Sequence, residues 1–218
     1  MRFKLGLPSM AAILFVLSAC GPLSNNGQAP SKLTRLRQSR KLALDWIQTA
    51  GANVNNATYL SNLSKNSYLS KINQLDDILS NRIIEIDNFA DGPCSENTSS
   101  EKTSDQFTLA YVENPPQNSN IYVCKEAFDF SNPIIAQVLI HEGIHITGVI
   151  DECKTTEFEV NIIHLAGQRP FKNSYVGSPA CASINFNHIN FLKLQDSEEG
   201  TPSALEWKEF ILPRGAKY

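Results

Sequence analysis

Positive charge is scarce in this chain: 19 Lys+Arg stand against 22 Asp+Glu, a net charge of −3, and no basic patch offers a partner to a phosphate backbone. Nucleic acid is therefore excluded as the natural ligand class. Long apolar runs are missing as well, since the run from Met10 to Leu17 is too short to span a bilayer as a stable helix. None of the cysteines sits in a CxxC-type pair, which leaves a cysteine zinc site little to build on. There is no internal repeat, no low-complexity tract and no composition shift that would mark a second domain. Histidine is rare, with four in 218 residues, so the placement of two of them only four apart becomes informative.

What is present begins at the N-terminus. Arg2 and Lys4 precede the apolar run, the pattern of a secretory signal peptide over residues 1–19. It ends in "LSAC", Leu17 to Cys20, which resembles the lipobox of bacterial lipoproteins. The resemblance covers the first twenty residues and implies a lipid (palmitate-type acyl) anchor on Cys20. It also implies attachment to a membrane of the bacterial cell envelope, facing the periplasm or the exterior. The alternative for Cys20 is a free or disulfide-bonded cysteine. Residues 21–31, "GPLSNNGQAPS", are small and polar, so 20–31 reads as a flexible tether and 32–218 as a single domain.

Removing residues 1–19 takes away Arg2 and Lys4, leaving 17 basic against 22 acidic residues, a net charge of −5. Four cysteines then remain, Cys94, Cys124, Cys153 and Cys181, an even number in an export compartment where disulfides persist. Two disulfide bonds are expected. Three pairings are open, and Cys153 with Cys181 would tie the centre of the chain to the C-terminal segment.

Apolar residues recur at helical spacing from Arg35 to Ala50 and from about Tyr59 to Phe89, as in Leu69, Ile72, Leu75, Ile78 and Leu79. These predict two or three amphipathic core helices. Residues 91–105 read as a loop, and "QFTLAYV" and "NIYVCKEAF" as an antiparallel strand pair. Asn132 as a cap and Pro133 at the first helical position predict a helix that Gly148 ends; a second runs from about Asp151 to Ala166 and is closed by Gly167. Residues 167–188 are loop-rich.

In the helix after Pro133, positions 134, 135, 136, 138, 139, 140, 144 and 146 are apolar, while Gln137, His141 and His145 form one polar stripe at i, i+4 and i+8. Two imidazoles on one face can grip one ion, and Glu142, one step around, can reach a water on it. The bland reading, core histidines in ordinary packing, would bury two imidazoles and a carboxylate in an apolar helix and needs a partner for each. By chance this spacing arises on the order of once in a few hundred chains of such composition. It resembles the HExxH motif of zincin-type zinc metallopeptidases, over about residues 107–166. The resemblance implies zinc (Zn2+) held by His141 and His145, with Glu142 as general base. The expected fold class is accordingly α+β and zincin-like. It has a helical N-terminal part, a small antiparallel sheet, and a central HExxH helix packed against a second helix.

A catalytic zinc takes a third protein ligand. Asp151 completes "HEGIHITGVID", which resembles the metzincin form HExxHxxGxxD; Glu152 would instead fit the HExxH-plus-glutamate group, with Asp151 as a helix cap; Glu157 lies opposite His145 if the two helices form a hairpin. Asp151 is the first choice, with Glu152 and Glu157 as the alternatives. The chain departs from metzincins in one respect: its methionines are Met1 and Met10, so no Met-turn follows the motif. Tyr175, ahead of Tyr111, His164 and His188, is the preferred donor to a developing oxyanion, its loop fixed by a bond to Cys181.

The function these features imply is a lipid-anchored zinc metalloendopeptidase, a hydrolase. Its substrate, a peptide or protein, would pair with the strand at Ile121 to Val123. The alternative is a non-catalytic envelope lipoprotein with a zincin scaffold and a structural or vestigial metal site, or with the helices as its working surface.

Overall fold

The computed structural model describes residues 29–88, 93–94, 108–116, 120–173 and 175–192. Residues 1–28, which include Cys20 and the segments read from the sequence as signal peptide and tether, and the residues from 193 onward lie outside them. All the elements below belong to the unit Ser31–Tyr218.

Two helices come first along the chain. α1, Lys32–Asn53, starts where the Ser31 hydroxyl accepts from the Thr34 amide at 3.2 Å, and it buries Leu36, Ala43, Trp46, Ile47 and Ala50 along one stripe. α2, Asn62–Asn81, starts in the same way at Ser61 and buries Tyr68, Ile72, Leu75, Ile78 and Leu79. The apolar periodicity had suggested a helix as far as Phe89. The chain instead leaves the helix at Arg82 and forms strand β1, Ile84–Ile86. Two causes are visible: the Arg40 guanidinium donates to the carbonyls of Leu79 and Ser80, closing the helix end, and the β-branched run Ile83, Ile84, Ile86 prefers extended backbone.

β2, Ala110–Val112, and β3, Ile121–Val123, pair antiparallel with Ala110 opposite Val123 and Val112 opposite Ile121, as the sequence suggests. β1 then joins the other side of β3 in parallel, with Ile84 opposite Ile121. The sheet is therefore mixed, in the order β1-β3-β2, and not the antiparallel sheet expected. One expectation falls with this. β3 is the central strand with both edges paired, so Ile121 to Val123 cannot receive a substrate strand.

α3, Asn132–Ile146, packs against α1, α2, α4 and the sheet, and every residue from Ile134 to Ile146 is buried. Its cap position is Ser131, whose side chain makes no capping bond. Asn132 serves elsewhere, accepting from Arg35 Nε at 3.1 Å and donating to Gln38 at 3.0 Å, which ties α3 to α1. Gly143 is what lets α2 lie close, because a Cβ there would come within 2.7 Å of Leu75 Cδ2. α3 ends at Thr147, and Gly148 at φ +89° turns the chain back. α4, Glu152–Leu165, follows after Asp151, whose carboxylate accepts from the Lys154 amide at 2.8 Å, and Gly167 at φ +74° ends it.

Two disulfides are formed, Cys94–Cys124 and Cys153–Cys181, each with Cα atoms 5.3 Å apart. The first anchors the end of β3; the second joins the first turn of α4 to the 3₁₀ turn Pro179–Cys181. The architecture is thus α+β: four helices and a three-stranded mixed sheet among the described residues. No described helix is long and apolar enough to cross a membrane.

Candidate metal centre

His141 and His145 stand one turn apart on α3, 1 % and 3 % exposed, with ring centres 4.9 Å apart. The reversal at Gly148 brings the start of α4 over them. His141 Nε2 lies 3.1 Å from Glu152 Oε2, and His145 Nε2 lies 3.5 Å from Glu152 Oε1. One carboxylate thus spans both imidazoles, and the three residues form a group whose ligand atoms lie within 4.8 Å of one another and can hold a metal ion.

The outer ring nitrogens settle which inner atoms are available. His145 Nδ1 is 2.7 Å from the Val149 carbonyl oxygen, which only accepts, so Nδ1 carries the proton there. His141 Nδ1 is 2.7 Å from Glu159 Oε2, again an acceptor. Both rings therefore turn Nε2 toward Glu152, the arrangement that orients metal-binding imidazoles. Thr155 supports the first contact by donating to Val149 O at 3.2 Å.

Glu159 is 1 % exposed and sits seven residues after Glu152, two turns along the same face of α4. It accepts from Gln137 Nε2 and from Asn173 Nδ2, the latter at 3.3 Å. Gln137 also exchanges two bonds with the Phe171 backbone, at 2.9 and 2.8 Å, and Asn173 accepts the amides of Tyr175 and Val176 at 3.1 and 3.3 Å. A single polar network therefore binds α3, α4 and the segment after α4 behind His141.

The charges are balanced for a cation. Burial alone pushes the His141 imidazole down, but its hydrogen bonds to Glu152 and Glu159 and the charges of Glu159 and Glu142 outweigh this and lift it to about 10. Burial likewise pushes Glu152 up, and its bonds to the two histidines bring it down to about 2. Without a metal, then, a proton on His141 Nε2 faces Glu152, and a divalent ion would take that place. The donor set of two imidazoles and a carboxylate, free of thiolate, can hold a divalent metal ion. Glu142, 5 % exposed, is different: burial pushes it up to about 7, only partly offset by the charges of His145 and His141, and no described residue donates to its carboxylate.

Two of the three acidic residues that the sequence suggests occupy other posts. Asp151 is the N-cap of α4 and is not in the three-residue group, so of the three acidic candidates Glu152 is the one beside the histidines. Glu157 is ion-paired with Lys154 Nζ at 2.7 Å. Tyr175 is buried against the Cys153–Cys181 disulfide, in the loop that the disulfide fixes. Tyr111 stacks on Tyr122 in the sheet, and burial, followed by the charge of Asp87, raises its hydroxyl. His164 and His188 gather around Tyr59. Sequence reasoning missed Glu159, Thr155 and Asn173. The signal for Glu159 was its seven-residue spacing from Glu152; Asn173 left none.

Compared with protein-family models, with curated proteins and with solved structures, the chain finds no match in any of the three.

Proposed function

We propose that this chain is a lipid-anchored zinc metallopeptidase of the zincin kind, held to a bacterial envelope membrane through Cys20. The observation that carries the reading is the pairing of two functions on one helix turn: imidazoles held ready for an ion beside a buried, unbonded carboxylate near neutrality. A site that was only structural would have no use for Glu142 in that state.

Zinc bound by His141, His145 and Glu152 would supply Lewis acidity and lower the pKa of a water beside it. Glu142 would act as the general base, taking a proton from the attacking water and passing it to the departing amine. Glu159 and the Val149 carbonyl hold the two imidazoles in the required tautomer throughout. Glu152, with a side chain 28 % exposed, marks the side from which a substrate enters.

The test is zinc content and hydrolysis of a broad peptide library by wild type and Glu142→Gln. The variant keeps the shape and removes the base, so zinc should stay and hydrolysis fall about 100-fold or more. A wild type that holds zinc, cleaves nothing and cannot be told from Glu142→Gln would leave the non-catalytic lipoprotein reading in its place.

A further inference from the structure

The four histidines fall into two pairs, and the second has no part in the centre on α3. His164 stands in the last turn of α4, His188 in the segment after it, and Tyr59 in the α1–α2 connection. The Tyr59 ring centre is 5.7 Å from that of His164 and 4.6 Å from that of His188, and the two imidazoles are 6.0 Å apart, nearly edge to face.

Asn161 decides what His188 can do. Buried on α4, it donates from Nδ2 to the Glu157 carbonyl at 2.8 Å, so its Oδ1 is the atom 2.8 Å from His188 Nε2. An amide oxygen only accepts, hence Nε2 carries the proton and the lone pair is on Nδ1. Fixing the far nitrogen in this way is how proteins aim an imidazole at a metal. The His164 side chain makes no hydrogen bond among the described residues, so neither of its ring nitrogens is committed to a protein partner there. Burial, then the neighbouring His164, pushes His188 down, which favours the neutral, coordinating form.

We infer that His164 and His188 form a second, surface site for a divalent transition-metal ion, with water completing the coordination. At a metal–nitrogen distance of about 2.0–2.1 Å a ring centre stands roughly 3.2 Å from the ion, so two rings sharing one ion lie up to ~6.4 Å apart. The observed 6.0 Å falls inside that limit, at a wide nitrogen–metal–nitrogen angle. The protein donors of this site are the two imidazoles; the Glu157 carboxylate, whose charge acts on His188, is ion-paired with Lys154. Such a set binds Cu2+ in preference to Zn2+ or Ni2+. This site does not depend on the peptidase reading.

The experiment adds Cu2+ to the untagged, zinc-loaded full chain and follows the imidazole resonances together with the bound copper. The expected result is broadening of His164 and His188 at substoichiometric copper. His188→Gln and His164→Gln should each weaken that copper binding at least tenfold, with the zinc of the α3 pair retained. Asn161→Ala should weaken it by about 10-fold through loss of the fixed tautomer. Copper binding unchanged in both histidine variants, or broadening confined to His141 and His145, would overturn the site.

Discussion

Glu152 and Glu159 are chemically identical side chains two turns apart on α4, and the geometry gives them opposite tasks. Glu152 meets the inner nitrogens of both histidines, Glu159 the outer nitrogen of one. Replacing Glu152 by glutamine should therefore abolish stoichiometric zinc. Glu159→Gln should weaken zinc by about 10- to 100-fold, the scale of a lost orienting partner. Asp151→Asn and Glu157→Gln should leave zinc affinity close to wild type; competition with a chromogenic chelator ranks all four. Protonation adds a second check. Near pH 8 the metal-free centre holds the His141 proton, since that group titrates at about 10, while Glu152, at about 2, is already ionised. Zinc binding should release about one proton per chain and weaken as pH falls, because protons compete for the ligand. Calorimetry in two buffers of different ionisation enthalpy measures this directly. The sequence placed His141, Glu142 and His145 on one helix because 3.6-residue periodicity fixes their faces. It left Asp151, Glu152 and Glu157 open because the choice depends on where one glycine turns the chain.

That turn belongs to the scale of elements. Gly148 at φ +89° joins α3 to α4 and, through Val149, carries the carbonyl that orients His145. Gly148→Ala should cost about 1–2 kcal/mol for a side chain in left-handed backbone. It should lower both the thermal midpoint and zinc affinity, whereas Gly167→Ala, at the far end of α4, should lower the midpoint alone. The helices α1, α3 and α4 and the β2–β3 pair were legible because each carries its own period or its own glycine and proline boundaries. β1 was not. Its isoleucines continue the apolar periodicity of α2, and one of the two causes that end that helix, Arg40, lies some forty positions earlier in the chain. For the same reason the central place of β3 was hidden, since it depends on β1 arriving on its other side.

For the molecule as a whole, the Cys153–Cys181 bond and the Gln137–Glu159–Asn173 network hold the segment after α4 against the candidate metal site. Removing that disulfide with paired serines should cost about 2–4 kcal/mol by denaturant unfolding. Zinc stoichiometry should survive, since neither cysteine is a ligand. The claim on which everything functional rests is the coordination by His141, His145 and Glu152. X-ray absorption at the zinc edge of the full chain tests it most directly. The expected spectrum shows nitrogen and oxygen donors at about 2.0–2.1 Å, including two imidazoles, and is lost together with the bound zinc in His141→Ala/His145→Ala. Sulfur donors near about 2.3 Å, or stoichiometric zinc retained by the double variant, would contradict it.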